Sequence, residues 1–328
     1  MKKLLVGIAA LLCALLAPVP VAGAAGGPVV GMDAGMRGTT APGAGVRFFT
    51  APTLGKTVGP PRGRTVDRTL VMRVARDGGR VENYRYLRGT LTIPSVAYDY
   101  STTGLSADGR ALVLAKPRVV PFQHQSTFAV LDAKTLAPER IVRLRGDFSL
   151  DGVSPDGRRI YLIHYTLVHG NPGSYEVRAF DLSRGALDPK PIVDPREPDE
   201  QMQGTPITRA TSADGRWAYT LYAGDSGTLF LHALDTKAGS ARCVDLDPLK
   251  NTRNPMSLRL SSAGSGLIVT QGSQPRLMID PKSFEVTNAS VGGSDGPPWV
   301  LLIGATAAGL AASLLLLLPL RRRRPATT

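Results

Sequence analysis

Cysteine is scarce in this chain: two residues in 328, Cys13 and Cys243. Cys13 lies inside an N-terminal apolar run that reads as a removed leader. The mature chain then keeps one thiol, which excludes an intrachain disulfide and a thiolate-rich zinc site. Histidine is nearly as rare: His124, His164, His169 and His232 have no metal-ligand spacing and Cys243 has no CxxC partner, so no metal is predicted. Aromatics make up 6% of the residues. Basic side chains are scattered rather than interleaved with them, so the pattern of a nucleic-acid binder is missing. There is no heptad or Gly-x-y repeat, no glycine-rich phosphate loop and no paired-carboxylate motif. Those absences exclude coiled coil and collagen and leave no cofactor and no catalytic residue to assign.

The two ends carry the long apolar runs. Met1-Lys2-Lys3 precedes an uncharged stretch from Leu4 to Ala17, then Pro18 and the small residues Ala22-Gly23-Ala24, the pattern of a secretory signal peptide (1–24) cleaved before Ala25. Residues 299–320, from Trp299 to Leu320, hold no charge, span about 33 Å as a helix, and run directly into Arg321-Arg322-Arg323-Arg324. One transmembrane helix is predicted there, with 321–328 as a basic cytoplasmic tail and the body outside the cell membrane. Between the ends the composition divides the chain into a flexible Gly/Ala/Pro leader at 25–45, a folded body at 46–290 and a tether at 291–298. The net charge of +13 falls to about +7 without the signal lysines and tail arginines, enough for a modest pull toward anionic lipid heads or wall polymers.

The body is built from a repeat. A five-residue phrase occurs as Ser106-Ala107-Asp108-Gly109-Arg110, Ser154-Pro155-Asp156-Gly157-Arg158 and Ser212-Ala213-Asp214-Gly215-Arg216, with a decayed copy at Ser262 to Gly266. Each copy is followed by a β-rich run and then by a second run ending in Asp132, Asp181, Asp235 or Asp280. Thr69 to Ala75 and Arg80 to Arg88, around Asp77-Gly78-Gly79, supply the outer strands of one more unit. Short strands at a period near 50 predict radial repetition, an all-β propeller of about five four-stranded blades. Six or seven stay open if the Pro-rich insert from Asp188 to Pro206 hides irregular strands.

The phrases from Ser154 to Tyr165 and from Ser212 to Tyr222, each with a later strand ending in Asp, resemble the TolB-type and YVTN-type repeats of the WD-repeat-like β-propeller group. That group includes scaffolds, binding modules, lactonases and protease gating domains, so the resemblance implies a fold and leaves the activity open. The expected function is a binding, sensing or scaffold module for a cell-envelope ligand, polymer or partner protein, with a lactonase-like hydrolase as the alternative.

Asp108, Gly109, Asp156, Gly157, Asp214 and Gly215 are read as turn formers, because Asp bonds its own backbone and Gly takes positive φ. Gly224-Asp225-Ser226-Gly227 resembles the nucleophile loop of trypsin-like proteases, but it falls between two predicted strands without a matching histidine and reads as a turn. His232 is expected at a half-buried strand position. The candidate ligand site comes from aligning the strands that precede the turns, which are innermost in a propeller. Three positions before the turn serine stand Thr103, Asp151, Arg209 and Arg259, expected as one layer around the axis. Two arginines there would hold an anionic group; the competing expectation is that Asp151 simply pairs with one of them.

Overall fold

The computed structural model describes residues 36–56, 64–118, 123–168, 171–199, 202–224, 227–263 and 266–289. The chain divides into Met1–Thr287 and Asn288–Thr328, and only Asn288 and Ala289 of the second unit are described. The predicted signal peptide, tether, membrane span and basic tail lie outside the described residues. Among the described residues no helix is long and apolar enough to cross a membrane.

Five antiparallel sheets follow one another along the chain, and in each the spatial order is the chain order. Blade 1 holds β1 (Val46–Lys56), β2 (Arg64–Ala75) and β3 (Val81–Arg88). Blade 2 holds β4 (Ala111–Ala115), β5 (Gln125–Asp132) and β6 (Pro138–Arg145). Blade 3 holds β7 (Asp147–Val153), β8 (Arg159–Val168), β9 (Asn171–Asp181) and β10 (Ala186–Leu187). Blade 4 holds β11 (Thr205–Thr211), β12 (Trp217–Ala223), β13 (Leu229–Asp235) and β14 (Ser240–Asp245). Blade 5 holds β15 (Leu258–Ala263), β16 (Gly266–Gln271), β17 (Gln274–Ile279) and β18 (Val286–Asn288). The blades are those that the repeat period marks out. The insert after β10 adds no sheet; it prolongs the outer edge of blade 3 through single bridges from Ile192 to Val177 and from Met202 to Tyr175.

Blades 1 and 2 depart from the four-stranded expectation. In blade 2 the innermost strand is reduced to two isolated bridges to β4, Leu105–Leu112 and Thr92–Ala115, with the Val113 N–H donating to the Gly104 carbonyl at 2.7 Å. The segment that would have formed it is used elsewhere: the Tyr98 and Asp99 N–H groups donate to the Pro206 and Ile207 carbonyls of β11. In blade 1 the innermost strand shrinks to the Thr39–Phe48 bridge. Thr39 and Ala41 are buried, and residues 39–48 close a looser hairpin. The expectation of a flexible leader running to residue 45 is therefore corrected over 36–45, where the Gly/Ala/Pro composition belongs to a turn.

Alternating apolar positions on the strands pack blade against blade, since a strand sends successive side chains to opposite faces. Phe48, Val71 and Ile93 meet Leu112, Leu114 and Leu131 between blades 1 and 2. Val113 and Phe128 meet Phe148 and Leu150 between blades 2 and 3. Tyr161 and Val177 meet Ala218 and Leu234 between blades 3 and 4, and Leu221 and Leu231 meet Leu260 and Val269 between blades 4 and 5. Burying one such side chain stabilises by about 1.5–3 kcal/mol, so each interface outweighs any single turn.

Candidate functional site

The repeated phrase folds the same way three times. The Ser106, Ser154 and Ser212 hydroxyls each accept the backbone N–H five residues on, of Ala111, Arg159 and Trp217, at 2.9 Å. Each also donates to the aspartate two residues on, at 2.6, 2.7 and 2.5 Å. Those aspartates accept the N–H of Arg110, Arg158 and Arg216. The glycine between takes φ +70 in all three copies, a left-handed conformation that costs any other residue strain. The serine and the aspartate are thus spent on the backbone, and the arginine is what each turn displays.

The strands that end in aspartate make a second family of turns beside the first. Asp132, Asp235 and Asp280 accept the N–H two residues on, from Lys134, Lys237 and Lys282, and Asp181 accepts those of Ser183 and Arg184. The next residue bonds back to the first turn: the Ala133, Leu182 and Thr236 N–H groups donate to the Arg110, Arg158 and Arg216 carbonyls at 2.7, 3.0 and 2.9 Å. Both turn families therefore share one face of the propeller. The Thr135 hydroxyl and N–H hold Asp132 below the usual carboxylate range, the Ser212 hydroxyl does the same for Asp214, and the Ser283 and Lys282 N–H groups for Asp280. The acids accept from their own backbone; Arg110 and Arg158 point out, whereas Arg216 and Arg184 fold back to pair with Asp235 and Asp181.

Turns of different blades also touch. The Asp108 N–H donates to the Pro155 carbonyl at 3.0 Å. Gly157 faces Ala111 and Ser106, and Gly215 faces Ala107, so closely that a Cβ on either glycine would collide. Outward from these contacts, blades 2 and 3 leave a groove of about 990 Å³ lined by Arg73, Arg110, Lys134, Arg140 and Arg158 with Asp132, Glu139 and Asp156.

The centre is occupied. Arg209 on β11 and Asp151 on β7 come together as a buried ion pair, with side chains 4% and 1% exposed. The Arg209 guanidinium also donates to the Asp151 carbonyl and to the Thr220 hydroxyl, the latter at 2.9 Å. Thr103 shares with Arg209 the lining of a cavity of only about 50 Å³, closed on one side by Thr39 to Pro42. Arg259 is not brought into this pair: its guanidinium donates to the Met256 and Leu258 carbonyls at 2.8 and 2.7 Å on the approach to its own strand. Asp151 and Arg209 are paired through one carboxylate oxygen, while the other, Oδ2, is buried without a hydrogen-bond partner among the described residues.

His232 is fully buried rather than half-buried, 1% exposed, because both faces of β13 are covered by neighbouring blades. Burial pushes its imidazole down to about 4. Cys243 is half-buried on β14. Among the described residues no three His, Cys, Asp or Glu side chains are grouped to hold a metal ion. Sequence reasoning missed Asp99, which accepts the Thr208 hydroxyl at 2.6 Å, and the Arg118–Asp147 pair, because both link residues far apart in the chain. It also missed the basic face, although the signal was present: a basic residue stands two after nearly every turn aspartate.

No family model matches this chain, and no curated protein matches it. Solved structures similar to it include a prolyl endopeptidase, at TM-score 0.42 and 12% identity over 78% of this chain; the chain spans 36% of that protein's length. A TolB from Agrobacterium tumefaciens is similar at TM-score 0.38 and 14% identity, covering 68% of this chain and 76% of that one. A β-propeller domain from Myceliophteria thermophila is similar at TM-score 0.34 and 14% identity, covering 71% and 65%. The solved structures that this chain resembles thus include TolB and WD-repeat-type propellers, and the propeller itself is read from the five sheets and their turns.

Proposed function

We propose that this chain is an extracytoplasmic binding module, a propeller anchored in the cell membrane by residues 299–320, that engages a cell-envelope ligand or partner through its turn face. The observation that carries the reading is the contrast between face and centre. The centre holds a buried ion pair beside a cavity of about 50 Å³, too small for a substrate. The turn face repeats one device, an aspartate spent on its own backbone and a basic side chain presented to solvent. The leader 1–24, the uncharged stretch 299–320 and the four arginines after it support export and anchoring.

Protease added to wall-stripped cells tests the topology. The body should be digested, with a fragment containing the tail left in the membrane after an alkaline wash; loss of the tail alone would reverse the orientation. Chemical cross-linking of the full chain in intact cells tests the binding role. The adduct should form through lysines such as Lys134 and Lys237 of the turn face, and adducts confined to Lys250, on the opposite side, would overturn it.

A further inference from the structure

The groove between blades 2 and 3 gathers the turn face's unspent cations in one place, whereas several other cations are taken up by neighbouring acids. Arg216 is paired with Asp235 and Arg184 with Asp181 and Asp188, and within the groove itself Arg73 is paired with Glu82. In the groove, Arg110 and Arg158 reach their turn aspartates only at 3.9 and 3.8 Å, with side chains 85% and 83% exposed. Lys134 and Arg140 enter no ion pair among the described residues and are exposed. Asp132 and Asp156, two of the three acids lining the same groove, are held by N–H and hydroxyl donors of their own turns, and the third, Glu139, is exposed. Four cations are thus presented along one open channel, three of them on turns fixed by hydrogen bonds and Arg140 on β6, with two of the three local acids turned to the backbone.

We infer that this groove binds a flexible polymer bearing regularly spaced phosphate groups, lying across the turns of blades 2 and 3; the inference rests on the turn-face reading and names its ligand class. The spacing argues for a polymer over a single small anion. Arg110, Lys134, Arg140 and Arg158 come from two strand-linking turns, one strand and a neighbouring blade, and line an open groove rather than converging in a closed pocket. Guanidinium forks suit phosphate oxygens because two parallel N–H groups match two oxygens. An acidic protein is disfavoured because the groove offers few exposed apolar side chains to anchor one.

The probe is long-chain inorganic polyphosphate, added to the full chain in a neutral detergent across a series of salt concentrations. The wild type should bind, with a steep loss of affinity as salt rises from counterion release. The triple variant Arg110→Gln, Arg140→Gln, Arg158→Gln should lose at least about tenfold in affinity, and its log–log salt slope should fall by about two, at about 0.7 per phosphate contact removed. A control that removes the same charge from the opposite side, Arg145→Gln, Lys250→Gln, Arg253→Gln, should change neither. Equal losses in both variants would show generic attraction and overturn the inference. Tighter binding of poly-glutamate, or of vesicles with one third anionic lipid, would overturn the ligand class while leaving the turn-face reading to its cross-linking test. Unchanged affinity in the groove variant, with its thermal midpoint intact, would remove the groove.

Discussion

Three glycines with the same backbone angle and different surroundings allow the contact between blade turns to be weighed. Gly109, Gly157 and Gly215 all sit at φ +70. A Cβ on Gly109 would meet nothing within 4 Å, whereas on Gly157 it would lie 2.7 Å from the Ala111 Cβ, and on Gly215 it would collide with the Ala107 Cβ. Gly109→Ala should therefore cost only the left-handed strain of a residue with a Cβ, about 1–2 kcal/mol. Gly157→Ala and Gly215→Ala carry that strain plus overpacking, about 1–3 kcal/mol more, since carbon atoms settle at about 3.5–4 Å. For a propeller of this size each kcal/mol moves the thermal midpoint by about 2–4 °C. Urea unfolding of the full chain in mild detergent, followed by tryptophan fluorescence through Trp217 in the blade 4 turn region, reads the three side by side. Adding Ala107→Gly should recover much of the Gly215→Ala loss and none of the Gly109→Ala loss, because it removes the struck atom. Equal costs for all three glycines, or no rescue by Ala107→Gly, would refute the convergence of the turns of blades 2 and 4.

Arg209→Gln should destabilise the fold by about 3–5 kcal/mol, because it leaves the Asp151 carboxylate buried without its partner, and adding Asp151→Asn should restore part of that; a midpoint that does not move would return Arg209 to the list of ligand residues. Ser154→Ala should cost more than Ser212→Ala, about 1–3 kcal/mol in the buried turn, since each leaves an N–H without its acceptor and only Ser154 is nearly sealed from water. His232 titrates at about 6.5 in an unfolded chain and at about 4 in the fold, so its contribution is complete above pH 6.5 and declines as the pH falls toward 4, at up to about 1.4 kcal/mol per pH unit. His232→Gln should flatten the urea-midpoint profile over that range, and an unchanged slope would place the proton elsewhere.

The sequence by itself determined the repeat and through it the fold. Ser-x-Asp-Gly-Arg and the strand-ending aspartates are local devices, in which each donor and acceptor lies within five residues of its partner, so residue order alone specifies the geometry. The same locality explains why β4, β8 and β12 begin where they were expected. The first blade was harder to see because its turn at residues 40–45 lacks the serine and the aspartate, leaving a stretch whose composition matches a leader. Only the tertiary structure decided which charges are spent and which are offered. Asp151 and Arg209 stand 58 residues apart in the chain and meet at 1% and 4% exposure, and no local pattern marks Arg209 as paired while Arg259 turns to its own strand. The basic residues are likewise scattered along the chain at the period of the blades. They become one face because antiparallel strands return every second turn to the same end of the sheet, and the packing of blade 3 on blade 2 sets Arg158 across the groove from Arg110.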